Sequence, residues 1–254
     1  MKKTVLEVNN LTKTFYGSDK KVFHAVDHIS FSQAQGECLA IIGESGSGKS
    51  TTVNMITRLI DATEGSIILD GENITHIKGK QLRDTYMKMQ MVFQSPRESF
   101  DARRTLGDGI GESLRNHGWS KSDARTEVLR LLELCGLDKE FADRYPDQVS
   151  GGQCQRAAIA RALAIKPKLL ICDEATSALD VTVQEDILGL LKELRQKQED
   201  LSILFICHDL AVVQQFCDRV LVMHDGVIVE EGTPDEVIRN PQDAYTKHLI
   251  DCVL

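Results

Sequence analysis

Apolar positions along this chain change their period twice. In TVLEVNNLTKTF (4–15) and HAVDHISFSQ (24–33) they alternate with polar ones and end near glycines, as antiparallel strands with one buried face do. GECLAIIG (36–43) is instead a short unbroken apolar run, the pattern of a strand covered on both faces. GSIILDG (65–71) reads as a further strand. From about 97 to 165 the period turns helical, and ARTEVLRLLELCGL (124–137) sets leucines at helical spacing before a stop at Gly136. Buried-strand runs return at PKLLICDE (167–174) and LSILFICHD (201–209), with the helical VTVQEDILGLLKELRQKQ (181–198) between them. Strand, helix, strand predicts a parallel sheet with crossover helices. Two apolar runs around Asp225-Gly226 predict a hairpin, and one helix over about 234–251 closes the chain. The expected fold is α/β in a single domain, 1–254. Its core, with an antiparallel β part, is 1–94 and 166–254, and a helical subdomain, 95–165, is inserted into it.

Composition narrows the function. The 254 residues suffice for a large core. A net charge of −8 argues against a general nucleic-acid binder, whose phosphate contacts it would repel. No apolar run approaches the ~18 residues that span a bilayer, and the opening MKKTVLEVNN has no apolar region of the signal-peptide kind. Seven cysteines are scattered without CxxC or zinc spacing, so they read as small buried hydrophobes of a reducing compartment.

The chemistry starts at GESGSGKST, which fits G-x-x-x-x-G-K-[ST] from Gly43 to Ser50. Gly43, Gly46 and Gly48 let the backbone wrap phosphates with its amides turned inward. Lys49 neutralises β/γ charge and the Ser50 hydroxyl ligates Mg²⁺. Ser45 and Thr51 complete the predicted ATP contacts. The helical STTVNMITRLI (50–60) follows, and a helix starting near Lys49 adds its positive end. LLICDEATSALD (169–180) ends a buried strand in acid at the sheet's carboxyl edge, where ligands of such sheets bind. There Asp173 would hold Mg²⁺ and Glu174 would polarise the attacking water. His208 ends the next buried run and could bond a γ-phosphate oxygen. Gln94, after the apolar MVF, could ligate Mg²⁺ or orient water.

VSGGQCQRAAIARAL (149–163) adds a puzzle: a good helix begins with Gly151 and Gly152, each costing roughly 1 kcal/mol against alanine. Ser150 and Gln153 fit a capping box, which does not explain the glycines. A close approach to the backbone does, and a helix N-terminus attracts an anion. The chain already has one phosphate cradle, so SGGQ is assigned to the γ-phosphate of ATP held by a second chain.

GESGSGKST, Gln94, VSGGQ, LLICDEATSALD and His208 occur in the order of the ATP-binding-cassette (ABC) ATPases, and the chain resembles that family over nearly its entire length. The resemblance implies an ABC-type P-loop nucleotide-binding domain with a RecA-like parallel-sheet core. It also implies a head-to-tail dimer, with a paralogue or a second copy, that sandwiches two ATPs. Ser150, Gly151, Gly152 and Gln153 then act in trans, Ser177 and Asp180 lie in the loop crossing the dimer centre, and Tyr16 stacks on adenine, with Phe15 as the competing choice. MKMQMVFQSPRESFDARRTLGDGI and the tail GTPDEVIRNPQDAYTKHLI resemble the peptide and nickel importer branch. Ser95 and Phe100-Asp101 depart from its commoner Asp and Leu-Asn, and no iron–sulfur cluster is expected. The implied role is the ATP-hydrolysing subunit of an importer for short peptides or nickel. It would sit peripherally at the cytoplasmic face of the membrane, on two transmembrane permease subunits served by an extracytoplasmic solute-binding protein. Segment 95–104 is the expected docking face, with Phe100 as apolar anchor and Arg97, Arg103 and Arg104 around it; the alternative is a core phenylalanine. A non-transport ABC ATPase acting on DNA or ribosomes is the competing function.

Overall fold

The computed structural model describes residues 3–16, 22–175 and 180–251. Strands β1 (Thr4–Tyr16), β2 (Val22–Ala34), β4 (Glu64–Leu69) and β5 (Glu72–Asn73) form an antiparallel sheet in the order β2-β1-β4-β5. The second sheet contains β3 (Cys38–Ile42), β6 (Met89–Val92), β7 (Leu169–Asp173), β8 (Ser202–Ile206), β9 (Arg219–His224) and β10 (Val227–Gly232). Its order is β10-β9-β3-β8-β7-β6, parallel throughout except for the β9–β10 hairpin. That hairpin turns at Asp225-Gly226, where φ is +46° and +82°, the left-handed pair a two-residue turn requires.

The continuous apolar runs follow from this placement. β3 and β8 are buried at every residue because both sheet faces are covered. Alternate side chains enter two cores. Leu39, Ile41, Ile171 and Leu204 face the antiparallel sheet and α1 (Lys49–Ile56). Cys38, Ala40, Cys172 and Phe205 face the helices on the other side. The six described cysteines are all buried, as small core residues.

Helices α2 (Gly79–Tyr86), α3 (Leu106–Ile110), α4 (Glu112–Asn116), α5 (Lys121–Leu134) and α6 (Gly151–Leu163) precede β7. Ser120 caps α5 by accepting the Asp123 N–H at 3.1 Å, and Gly136, at φ +71°, follows its end. The chain returns through α7 (Val181–Lys197) and α8 (Leu210–Phe216). None of the described helices is long and apolar enough to cross a membrane.

Three expectations are corrected. The closing helix is two, α9 (Pro234–Arg239) and α10 (Ala244–Asp251), because Pro241 removes a backbone donor at the break. The helix after GKS ends at Ile56, and Arg58 follows in the left-handed region at φ +60°. Phe100 is no surface anchor: it is 7% exposed, and the Arg161 guanidinium lies over its ring at 4.3 Å.

One of the two costly glycines has an intrachain cause. A Cβ on buried Gly152 would stand 2.5 Å from Val183 Cγ1 at the start of α7. Gly152→Ala should therefore destabilise the protein by about 1–3 kcal/mol. Val183→Ala should recover most of that loss in a double-mutant cycle read by denaturant unfolding. Additive losses would disprove the contact as the reason for the glycine.

Candidate functional site

The turn from β3 into α1 is a loop held in conformations that glycine alone adopts readily. Gly43, Gly46 and Gly48 have φ of +146°, +88° and +103°. Two of them are also pressed from outside. A Cβ on Gly43 would meet the Met223 carbonyl oxygen at 2.2 Å, and one on Gly48 the Ala25 carbonyl oxygen at 2.5 Å. The Gly226 N–H donates to Ser47 O at 3.1 Å, so the β9–β10 turn supports the loop from the side. Lys49 is buried, and its Nζ donates to the carbonyls of Gly43 and Glu44, both at 2.7 Å. Ser45 and Ser50 are exposed and Thr51 is half-buried, in the first turn of α1 or just before it.

Two strands away, β7 delivers Asp173 and Glu174 to the same edge. Burial pulls the Lys49 ammonium below its ordinary range, against the attraction of Glu174 and Asp173. Burial pushes the Asp173 carboxyl up, the Glu174 charge adds to this, and Lys49 opposes it. Asp173 Oδ1 is buried without a hydrogen-bond partner. An orphaned carboxylate oxygen beside a second carboxylate suits a divalent cation, which supplies the missing partner and the missing charge. Glu174 has φ +47°, an uncommon conformation for a residue with a Cβ, and its N–H donates to Ile206 O at 3.1 Å. Gln94, just beyond β6, donates from Nε2 to Glu174 Oε2 at 2.7 Å across 80 residues. His208 is exposed at the end of β8, between the loop strand and the acidic strand.

Ser150 caps α6 as the spacing predicts. Its hydroxyl accepts the Gln153 N–H at 3.2 Å while Gln153 Oε1 accepts the Ser150 N–H at 2.9 Å. Ser150 and Gly151 are exposed and Gly152 faces α7. Gly151 lines a cavity of about 330 Å³ together with Gln94, Ser95 and Ala175. Asp180 caps α7 by accepting the Val183 N–H at 3.0 Å, and Ser177 lies outside the described residues. Tyr16 is 75% and Phe15 43% exposed at the end of β1.

The segment after Gln94 is tied to α6. Arg97 donates to Val149 O at 2.6 Å, and Arg161 donates to the carbonyl and hydroxyl of Ser99. Beside it, a cavity of about 400 Å³ is lined by Leu59, Tyr86, Met91 and Phe93, with Leu59 56% and Phe93 40% exposed. Sequence reading missed this groove. It also missed the supports of the glycine loop from β9 and the tail, since no local pattern marks a residue that touches a loop some 200 positions away.

The family described as ABC transporter matches residues 26–177. The oligopeptide transport ATP-binding protein OppF of Streptococcus mutans serotype c is 43% identical over 99% of this chain and 82% of its own length. The dipeptide transport ATP-binding protein DppF of Lactococcus lactis subsp. cremoris is 41% identical over 99% of this chain and 81% of its own. The dimeric post-hydrolysis ATP-binding cassette MJ0796, bound to ADP and Pi, aligns with a TM-score of 0.82 at 31% identity, over 90% of this chain and 98% of that one.

A folded-state carboxyl raised above its unfolded value costs stability at neutral pH, and the cost is relieved as pH falls toward the raised value. Asp173→Asn, which cannot ionise, should therefore melt above the parent at pH 7 without nucleotide, and the gap should narrow on acidification. Equal or lower melting at pH 7 would show that attraction to Lys49 outweighs the burial cost.

Proposed function

The chain belongs to the ABC transporter family of ATP-binding proteins, and on that premise we propose that it powers an importer of short peptides. As a member it is an ATPase coupled to transport. The peptide arm of the peptide-or-nickel expectation is favoured by relatives named for oligopeptide and dipeptide transport.

The observation that carries the site assignment is the convergence of Lys49, Asp173, Glu174 and Gln94 at one sheet edge. Amides of the loop from Gly43 to Thr51, Ser45 and Gly46 among them, would bind the phosphates, and Lys49 would leave its loop carbonyls to neutralise the β/γ oxygens. Ser50, Gln94 and Asp173 would hold Mg²⁺, which when bound neutralises developing phosphate charge. Glu174 takes the proton of the attacking water, and turning Gln94 away from Oε2 gives that water access. His208 contacts the γ-phosphate, and Tyr16, the more exposed of the two candidate rings, stacks on adenine.

Ser150, Gly151, Gly152 and Gln153 complete the site on a second ATPase chain, a paralogue or a copy. The dimeric state of the similar cassette supports this. The helical segment 95–165 acts as a subdomain moving on the core, with Gln94 at the joint. Two transmembrane permease subunits, fed by an extracytoplasmic solute-binding protein, anchor the chain at the cytoplasmic face. Their docking site is the groove of Leu59, Tyr86, Met91 and Phe93, which exposes the apolar side chains that Phe100 does not.

In the assembled transporter, Glu174→Gln should keep ATP binding while slowing peptide-stimulated phosphate release by about 10²–10⁴-fold. Near-normal turnover would remove Glu174 from its role, and stimulation by nickel in place of peptide would overturn the substrate class. Lys49→Ala should abolish nucleotide binding in the isolated subunit. Ser150→Arg should leave that binding intact yet block dimerisation and hydrolysis; equal loss of binding in both variants would defeat the two-chain site.

A further inference from the structure

The last described helix sends one side chain to the glycine loop. The Glu44 N–H donates to the Tyr245 hydroxyl at 2.9 Å, across 201 positions of sequence. That N–H belongs to the same peptide group as the Gly43 carbonyl, which accepts Lys49 Nζ at 2.7 Å. A peptide group is planar and trans, so its N–H and C=O point in opposite directions. Holding one end therefore directs the other. Gly43, without a Cβ, opposes rotation of this group less than any other residue would.

Tyr245 is itself firmly placed. Its ring stacks on His224, the last residue of β9, at 3.8 Å between centroids and 21° between planes. The neighbouring Met223 carbonyl is the one that presses on Gly43. At the start of α10 the Tyr245 N–H donates to Asp243 Oδ1 at 2.8 Å. Glu230 on β10 accepts the N–H groups of Gln242 at 2.8 Å and Asp243 at 3.0 Å. Burial works against the Glu230 charge, but those amides together with the Thr246 side chain outweigh it and hold its carboxyl below the usual range. The helix is thus clamped to the same hairpin that flanks the loop.

We propose that Tyr245 is a positioning residue for nucleotide binding: by holding the Glu44 N–H it presets the Gly43–Glu44 peptide, and with it the resting place of Lys49. The proposal rests on the reading of residues 43–51 as the phosphate cradle. Lys49 must exchange two carbonyls for phosphate oxygens, and the held peptide keeps the loop open while it does so. The hydroxyl therefore acts by preorganisation: once it is gone the released loop must be reordered when nucleotide binds, a cost that falls equally on ground and transition states.

The test is Tyr245→Phe in the full-length chain, which keeps the stack on His224 and removes only the hydroxyl. Affinity is read by titration with a fluorescent methylanthraniloyl ATP and its ADP counterpart, and turnover in the assembled transporter. Dissociation constants and KM should rise about three- to tenfold, up to the worth of the one net hydrogen bond that no longer preorganises the loop, with kcat within about twofold. Wild-type affinity and KM, or a fall confined to kcat, would overturn the proposal. Lys49→Ala, run in parallel, should not bind nucleotide. If it binds like the parent, the cradle reading fails, whatever Tyr245 does.

Discussion

A glycine-rich loop with positive-φ turns has little regular hydrogen bonding with which to hold itself together. This constraint governs the region between β3 and α1. Three glycines in left-handed or otherwise positive-φ conformations let the chain curl. Lys49 bridges two of its carbonyls from within. The Ser47 N–H also donates to Glu44 O within the loop, and further support is external: the Met223 carbonyl, the Gly226 amide, the Ala25 carbonyl and the Tyr245 hydroxyl. They come from three separate parts of the chain, so the loop is shaped only when β2, the β9–β10 hairpin and α10 are all in place.

The parallel sheet meets the second demand, which is charge. Buried on both faces, β3, β7 and β8 carry the loop, the acidic pair and His208 to one edge. A low-dielectric setting makes the Lys49 and Asp173 charges there expensive, as the lowered lysine and the raised aspartic acid record. Expense of this kind is what a charged ligand relieves. Gln94 joins the edge from β6, and its following segment is bound to α6 through Ser99, Phe100 and Arg161. One short stretch of backbone therefore touches the acid of the core at one end and the helix bearing SGGQ at the other.

Phe100 shows why composition misleads at such a joint. An aromatic among arginines has the make-up of a docking anchor, yet here Arg161 covers the ring and the segment folds inward. The apolar side chains left outside, Leu59 and Phe93, sit in runs whose local pattern gives no reason to expect exposure. The glycine pair is similar. Ser150 and Gln153 were legible as a capping box because capping is a local exchange of hydrogen bonds over three residues. The need for Gly152 depends on where Val183 arrives, which no window around residue 152 contains.

By itself the sequence determined the element types, the two-faced burial of the central strands, the glycine loop with its lysine, the acidic strand end and the helix cap. Each rests on a period or spacing of a few residues, set by backbone geometry and local hydrogen bonding. Tertiary structure alone decided which face of the 95–104 segment is buried, that Gln94 meets Glu174, that Val183 excludes a side chain at residue 152, and that a tyrosine of the tail holds the loop near residue 44. These are contacts between segments 30 to 200 positions apart. Their identity follows from strand order and crossover path, which the pattern of apolar and polar residues along the chain does not encode one contact at a time.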